Sequence, residues 1–349
     1  MVRALVSAGV GVLALLVAGE LVFRVLPVST ATQTDYHLDP DLLTYPPHHR
    51  WQVSSGWALR HAQSLQANNW GFLADHDFAP DADAVALIGD SYVESSMLDA
   101  KDRPAAQLER LLGGRKVYAM GTPGTALLDY AQRIRVAHER FQVRDVVIFM
   151  QPLDAGQSLC GSGHVVSRCL DPGSFEPRIE RQAPSGFLKN VLRHSALLQY
   201  VMSQIRFKPS ALVRSMFTRS TPEMQDAPAP AHEGRSLPVD PNAAARSRQM
   251  VDAVLEHFFA TVAPLGLRKL VVAMDGDRSG LAPETPLMKL ERDHLMRRLR
   301  ERGALVLDMQ PVYAANAALT RRAINVAPQD AHLNRIGVRL VMEPVSNAL

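Results

Sequence analysis

Short apolar segments alternate with longer amphipathic segments along most of this chain, and this alternation constrains the fold more than any other feature. The apolar segments span residues 84–89, 116–121, 145–151, 269–275 and 304–309, and the segments with a helical period span 101–113, 125–141, 243–263 and 286–302. Strands that alternate with helices of these lengths predict a parallel sheet with right-handed crossovers. We therefore expect an α/β fold, a three-layer sandwich around a central and mostly parallel sheet.

The regions between these segments divide the chain. Residues 27–80 are polar and aromatic without a sustained period, which predicts an extended lead-in that packs on the domain. Residues 81–349 form the expected domain, with an insertion at about 156–242. An amphipathic helix is predicted over 187–207 within the insertion, and the five prolines of 218–242 predict a flexible excursion. At 47% hydrophobic residues, the 349-residue chain has ample material for a core.

The N-terminus carries a long apolar segment, residues 1–26, which predicts a transmembrane helix. Its uncharged run of sixteen residues extends from Ala4 to Gly19, and snorkelling by Glu20 and Arg24 extends it to about 20 residues. A signal peptide cleaved after residues 29–31 and a buried helix are the alternatives. Because Arg3 favours a cytoplasmic N-terminus, we expect a single-pass protein of the inner membrane with its domain on the periplasmic or extracellular side.

Charge and cysteine content limit the partners. The formal net charge is only +3 and no block of lysine or arginine is present, so we expect no nucleic-acid partner. The two cysteines, Cys160 and Cys169, lie in a short glycine-containing segment. A disulfide is plausible in an oxidising compartment, and two free thiols are the alternative. A zinc site would need a fourth ligand beside these cysteines and His164, and none is evident nearby.

The segment Gly89-Asp90-Ser91 follows the first predicted strand of the sheet. A serine in this position is either a nucleophile or a helix N-cap. A serine nucleophile needs a histidine base and a carboxylate that orients it. Asp330 and His332 supply this pair in a predicted loop after the last strand, and loops of this kind meet at the carboxyl edge of an open α/β sheet.

In these residues the chain resembles the SGNH (GDSL-type) hydrolase family. Residues 68–72 and the end of the N-terminal segment, residues 20–27, also resemble the membrane-anchored bacterial members of that family. The matching positions, in the family's order, are Gly89-Asp90-Ser91, Gly121 after the second strand, and the segment from Asp330 to Asn334 before the last helix. The resemblance implies a flavodoxin-like sheet, a nucleophile at Ser91, a general base at His332 and an orienting acid at Asp330. It also implies that the N–H groups of Ser91 and Gly121 stabilise the oxyanion, with no need for a cofactor or metal.

One family position differs. The family places an asparagine before the aspartate that follows the third strand, where it donates to the oxyanion, and this chain has Leu153 before Asp154. Leucine cannot donate a hydrogen bond. Gln151 carries an amide two residues earlier and is a candidate substitute.

Several other residues admit functional and structural interpretations. Asp275 and Asp277 fit a strand-end loop better than a metal site, and His48 and His49 fit the surface better than a ligand pair. The three tryptophans would line a sugar platform or pack the lead-in: Trp51, Trp57 and Trp70. Asp90 is expected to stabilise the turn before Ser91, and Asn334 is expected to cap or brace the final helix.

These expectations converge on a serine-dependent ester hydrolase or O-acyltransferase of the cell envelope. Its substrate would be an acyl group, most simply acetyl, on a glycan or small ester. One alternative, suggested by Leu153, is a catalytically degenerate scaffold or binding protein of a polysaccharide machine. Another is a lipase or thioesterase with the insertion as its lid. The sequence does not give the oligomeric state.

Overall fold

The computed structural model describes residues 2–30, 33–182, 193–204, 239–278, 284–328 and 330–349. In chain order its strands are β1 (Arg50–Ser55), β2 (Arg60–Gln66), β3 (Val85–Gly89), β4 (Val117–Gly121), β5 (Asp145–Met150), β6 (Arg168–Leu170), β7 (Pro177–Ile179), β8 (Lys269–Met274), β9 (Leu305–Asp308), β10 (Asn325–Ala327) and β11 (Asp330–Leu333). Its helices are α1 (Val2–Val25), α2 (Ser91–Glu94), α3 (Pro104–Leu111), α4 (Leu127–Phe141), α5 (Asp154–Gln157), α6 (Ala196–Gln199), α7 (Pro241–Val262), α8 (Pro286–Glu301), α9 (Gln310–Thr320) and α10 (Arg335–Ala348).

These residues form two compact units. The first takes the described parts of 1–31, 51–64 and 184–238, and the second takes those of 32–50, 65–183 and 239–349. The second unit contains the α/β domain.

Five parallel strands make the central sheet of the second unit, in the order β4-β3-β5-β8-β9. This is the flavodoxin-like order of doubly wound sheets, in which the first strand lies between the second and the third. All residues of β3, β4 and β5 are buried, because helices cover both faces of a parallel sheet and favour continuous apolar strands. The expected fold class is confirmed.

The two faces of the sheet bury separate cores. Alternate strand residues such as Ile88, Met120 and Ile148 pack with α4, α7 and α8. Their neighbours along the strands, such as Leu87, Ala119 and Val147, pack with α3, α9 and α10 on the other face. Strand residues that point alternately to either side therefore build the three layers.

The first unit contains the apolar N-terminal helix. Helix α1 is 24 residues long, none of them buried, and by length and composition it is able to cross a membrane or to serve as a signal sequence. Most of the β1–β2 hairpin lies in this unit, and Ser29 and Thr30 bond to Ser54 and Gln52 of β1.

Short strands depart from the sequence expectation in three places. The lead-in contains the β1–β2 hairpin, the cysteine-containing segment contains the β6–β7 pair, and the segment after α9 contains β10–β11. The last two pairs consist of strands of three or four residues, which carry too few side chains to establish a period of two. Strands β1 and β2 are longer, and their side chains are mostly polar. Of the helix expected over 187–207, the structure describes residues 193–204, which hold α6 and a π-helical turn, Tyr200–Gln204. Most of the proline-rich stretch 218–242 lies outside the described residues.

Candidate active site

Ser91 lies at the point where β3 ends and α2 begins. Asp90 caps the helix, and its carboxylate accepts a hydrogen bond of 2.8 Å from the Tyr92 N–H, as expected for a residue that stabilises this turn. Gly89 permits the turn, because a Cβ there would lie 2.5 Å from Cγ2 of Val93. As the first residue of the helix, Ser91 has a backbone N–H without an intrahelical acceptor, and the helix start favours negative charge nearby.

Asp330 and His332 reach Ser91 from β11. Nε2 of His332 lies 2.8 Å from Oγ of Ser91, and its Nδ1 lies 2.6 Å from Oδ1 of Asp330. The Asp330 carboxylate also accepts the N–H of His332 at 3.0 Å. Residues two apart on a strand point to the same face, so the spacing of this pair directs both side chains toward the serine. The expectation that the pair lies in a loop was wrong, because β11 pairs with β10.

Tyr92 joins the serine turn to the histidine strand. Its hydroxyl donates a hydrogen bond of 3.0 Å to the carbonyl oxygen of Ala331, and its ring lies 4.8 Å from the His332 ring, centroid to centroid. The same hydroxyl accepts a hydrogen bond of 3.2 Å from Nη2 of Arg278. Tyr92 therefore contacts both segments that carry the three site residues.

Arg278 is held by a buried carboxylate. Its Nη2 lies 2.8 Å from Asp275, which also accepts a 2.8 Å hydrogen bond from the hydroxyl of Tyr313. Burial raises the pKa of Asp275 and the guanidinium of Arg278 opposes that effect. The interpretation of Asp275 as an ordinary strand-end residue was incomplete, since this carboxylate anchors an arginine that reaches the Tyr92 hydroxyl.

Gly121 ends β4 directly beneath the serine turn. A Cβ at this position would lie 2.5 Å from the Glu94 backbone nitrogen and 2.8 Å from the Asp90 carbonyl oxygen. Glycine is therefore required by the close approach of α2 to the sheet. A role for its N–H in binding an oxyanion stays a prediction.

Gln151 and Leu153 follow β5, the neighbour of β3 in the sheet. Ile88 pairs with Ile148, so the residues after β5 emerge beside the serine turn. The Gln151 backbone N–H donates to Asp154 at 2.9 Å, and its side-chain amide interacts with the buried carboxylate of Asp275, whose pKa it helps to lower. Leu153 precedes α5 with 43% of its surface exposed. A role for the Gln151 amide as an oxyanion donor stays a prediction.

A buried arginine lies under the carboxyl ends of β3 and β4. Nη1 of Arg133 donates to the Gly89 carbonyl at 2.6 Å and to the Met120 carbonyl at 3.2 Å. Burial lowers its pKa, and neighbouring carboxylates such as Asp129 oppose this. Sequence analysis missed this residue, although a cation at a core-facing position of α4, four residues after Asp129, was a usable signal.

Several buried carboxyl groups surround this edge of the sheet. Burial raises the pKa of Asp129 and of Glu94 to about 7 each. Burial also raises the pKa of Asp90, and it raises that of Asp154 further because Asp90 repels a second charge. Burial in a region of low dielectric constant thus shifts each of these acids toward its protonated form.

Cys160 and Cys169 form a disulfide in the second unit. Cys169 is buried in β6, and Leu159 pairs with Leu170 beside it. Within the described residues, the grouping of possible metal ligands consists of these cysteines and Glu180. Sulfurs joined to each other offer no thiolate, and the Glu180 carboxylate already accepts the N–H of Gly161 at 2.7 Å, so this cluster does not fit a metal.

The remaining predicted residues have structural surroundings. Asn334 caps α10 by accepting from Ile336 and Gly337, and it donates to the Ala323 and Asn325 carbonyls, as expected. His48 is exposed and His49 is partly buried. The tryptophans have different surroundings: Trp51 is buried, Trp70 packs edge-on against Phe141, and Trp57 is 74% exposed.

No family model matches the sequence, and no curated protein matches it either. The structure is similar to several solved ones. A lipolytic protein of the G-D-S-L family from Desulfitobacterium hafniense DCB-2 is 13% identical, and the match covers 76% of this chain and 99% of that chain with a TM-score of 0.40. A member of the lipolytic protein G-D-S-L family from Veillonella parvula DSM 2008 is 9% identical, with 76% and 97% covered and a TM-score of 0.40. The lipase/acylhydrolase from Enterococcus faecalis is 13% identical, with 76% and 96% covered and a TM-score of 0.37.

These likenesses are distant, and the activities named belong to those proteins. The fold and site of this chain by themselves define a flavodoxin-like α/β domain with a serine, a histidine and an aspartate in hydrogen-bonded series at the carboxyl edge of the sheet. The resemblance to the SGNH family is carried by these residues in the family's order. Leu153 remains the departure from that pattern.

Proposed function

We propose that this protein is a serine-dependent ester hydrolase or O-acyltransferase. The single observation that supports it is the series Ser91 Oγ, His332 and Asp330, with separations of 2.8 Å and 2.6 Å. An Nδ1–H donor to Asp330 leaves Nε2 unprotonated and directed at the serine hydroxyl. That is the arrangement a general base needs in order to activate a nucleophile.

The proposed mechanism follows from this geometry. His332 takes the proton of Ser91 Oγ as the oxygen attacks the ester carbonyl carbon, and the carboxylate of Asp330 stabilises the imidazolium that forms. The oxyanion accepts hydrogen bonds from the Ser91 N–H and the Gly121 N–H. His332 then returns the proton to the leaving alcohol, and an acyl-Ser91 remains. Water or a second hydroxyl takes the acyl group by the same steps in reverse.

The substrate we propose is an acyl group, most simply acetyl, on a glycan of the cell envelope. Support for this choice comes from the apolar α1, which suits anchoring in the inner membrane with the domain in the periplasm, and from the family resemblance. Transfer rather than hydrolysis would require that water be kept from the acyl-serine while an acceptor hydroxyl is bound.

Covalent labelling by a serine-directed fluorophosphonate tests the chemistry. We expect labelling of the full-length wild type, and no labelling of Ser91→Ala or His332→Ala. Ser95→Ala is a matched control, because Ser95 is a buried serine four residues away whose hydroxyl donates to the Tyr92 carbonyl. Wild-type protein that is folded by circular dichroism yet takes no label would overturn the proposal.

That outcome would favour the second candidate, a scaffold or binding protein with the hydrolase fold and no activity. The observation behind it is Leu153, an exposed apolar side chain where the family has a donor. If labelling succeeds, a series of esters with increasing acyl length separates an acetyl esterase from a lipase or thioesterase. Acetyl transfer to an added oligosaccharide separates transfer from hydrolysis.

A further inference from the structure

Glu20 is the one acidic residue of the apolar helix α1, and the first unit of the structure surrounds it with donors. Its carboxylate accepts hydrogen bonds from Ser195 Oγ at 2.8 Å and from the backbone N–H groups of Ala196 and Leu197 at 3.1 Å each. Arg24, one turn along α1, adds a hydrogen bond of 2.8 Å. A charged group close to a bilayer is costly unless it is paired in this way.

The same contacts bring the segment 194–202 against the end of α1. Leu197 packs over Gly19, where a Cβ would lie 3.4 Å from its Cδ2. One turn further, the rings of Phe23 and Tyr200 stack with centroids 4.2 Å apart. An open groove of about 600 Å³ lies alongside, with a lining that includes Leu16, Val17 and Leu21. The segment and the helix therefore share an apolar surface.

Tyr200 connects this surface to the tip of the β1–β2 hairpin. Its hydroxyl donates a hydrogen bond of 2.8 Å to the carbonyl oxygen of Trp57. Trp57 is 74% exposed at this tip, and Met202 of the adjoining segment is 48% exposed. Exposed apolar side chains that extend a larger apolar patch mark a site of contact with another apolar surface.

The helix gives the depth of these residues. About 20 helical residues cross the hydrocarbon layer, so a span that begins after Arg3, at Ala4, ends near Phe23. Phe23 and Arg24 then lie in the interfacial layer, and Tyr200 and Trp57 share their level through the contacts above. Tryptophan and tyrosine are the residues enriched in this layer, because their rings are apolar and their N–H or O–H groups are polar.

We propose that the segment 194–202 and the hairpin tip at Trp57 form a second membrane-contacting surface, seated in the interfacial layer around the end of α1. The partner is the lipid bilayer itself. The Trp57 indole inserts next to the headgroups, at the level of the first carbons of the acyl chains, and an acyl chain fills the groove beside Leu16 and Leu197. This inference rests on the proposed anchoring by α1 and not on the proposed ester chemistry.

Fluorescence quenching by brominated lipids tests it on the full-length chain. The variant Trp51→Phe with Trp70→Phe leaves Trp57 as the sole tryptophan, and it is reconstituted in vesicles of phosphatidylcholine with bromine on the acyl chains. We expect strong quenching when the bromines lie near the glycerol, less when they lie near the chain ends, and an emission blue-shifted from that of exposed indole. A matched variant that keeps only Trp70, which packs on Phe141 in the core, should show no quenching.

Two further measurements keep the test decisive. Flotation of the vesicles shows whether α1 is inserted, so a failure of anchoring is distinguishable from a failure of the new surface. Protein that floats, yet has a Trp57 emission unaffected by any brominated lipid and quenched by aqueous iodide, overturns the proposal. If the double substitution prevents folding, the difference between wild-type and Trp57→Phe emission in the same vesicles gives the same result.

Discussion

The hydroxyl of Tyr92 donates a hydrogen bond of 3.0 Å to the carbonyl oxygen of Ala331, across 239 positions of sequence. One partner follows Ser91 and the other precedes His332, so this bond fixes the distance between nucleophile and base. Tyr92 touches no reacting atom in the proposed mechanism, and we regard it as a positioning residue.

Tyr92→Phe should lower kcat by up to about 100-fold with little change in KM, because displacement of the base by about 1 Å is enough for such a loss. The ring against His332 is kept, while the Ala331 carbonyl and Arg278 lose a partner. Tyr118→Phe is the matched control, since Tyr118 is a buried tyrosine whose hydroxyl donates to the Ala79 carbonyl at 3.0 Å. Steady-state kinetics on a small acetyl ester give the answer, and an equal loss of kcat in both variants would contradict the positioning role.

Leu153→Asn should raise kcat. The substitution restores the amide that the family pattern places after the third strand. In serine hydrolases, loss of one oxyanion donor lowers kcat by about 100- to 1000-fold. We expect a gain of about tenfold, below that range, because no neighbouring side chain holds the new amide in place. Leu153→Ala controls for removal of the exposed leucine. A gain in the alanine variant, or none in the asparagine variant, would show that position 153 does not face the oxyanion.

The contrast between what the sequence predicts here and what it misses has a physical basis. Strands such as Val85–Gly89 and Asp145–Met150 are continuous apolar runs because both of their faces are covered, and such runs are visible without any neighbour. The meeting of Ser91 and His332 was predictable because the carboxyl ends of parallel strands converge on one edge.

Contacts that depend on partners far along the chain leave no local signal. The strand that carries Asp330 and His332 has four residues, too few to distinguish from a loop. In the sequence Arg133 is a single cation within the helical period of α4, and the Gly89 and Met120 carbonyls that it bonds are backbone atoms of other segments. In the sequence Glu20 likewise only interrupts the apolar run, and its role is apparent only from the hydrogen bond that it accepts from Ser195.

Glu94 should make stability fall as the pH rises. Burial raises its pKa from 4.5 to about 7, so between these values the native protein holds a proton that the unfolded chain has released. The unfolded state then binds fewer protons, and the free energy of unfolding falls by about 3 kcal/mol across this window. Asp129 acts in the same direction.

The measurement is the thermal midpoint of wild type and Glu94→Gln at a series of pH values. The wild type should lose stability more steeply than Glu94→Gln between pH 4.5 and about 7, since the amide cannot ionise. Glu139→Gln, on the exposed face of α4, should keep the wild-type slope. Parallel curves for wild type and Glu94→Gln would show that Glu94 does not bind a proton in this range.

The bond between Cys160 and Cys169 should leave no thiol open to alkylation before reduction of the folded protein, and two after it. Replacement of both cysteines by alanine should cost about 3 kcal/mol if the segment unfolds with the rest of the domain, from the closure entropy of a loop of this length. Mass spectrometry after iodoacetamide treatment counts the thiols. Two alkylated cysteines in unreduced protein from the native host would show that the bridge does not form there.

Helix α1 should be retained in the mature protein. Its residues Gly19, Glu20, Phe23 and Arg24 contact the segment 194–200, and removal of the helix as a signal peptide would leave Ser195 and the N–H groups of Ala196 and Leu197 without the carboxylate that they bond. N-terminal sequencing and intact mass of protein extracted from the membrane fraction should therefore find a chain that includes residues 2–25. Glu20→Ala should leave α1 in the membrane but release the segment, seen as faster tryptic cleavage after Arg193. Mature protein that begins near residues 29–31 would refute retention, and an unchanged cleavage rate in Glu20→Ala would show that the carboxylate does not hold the segment.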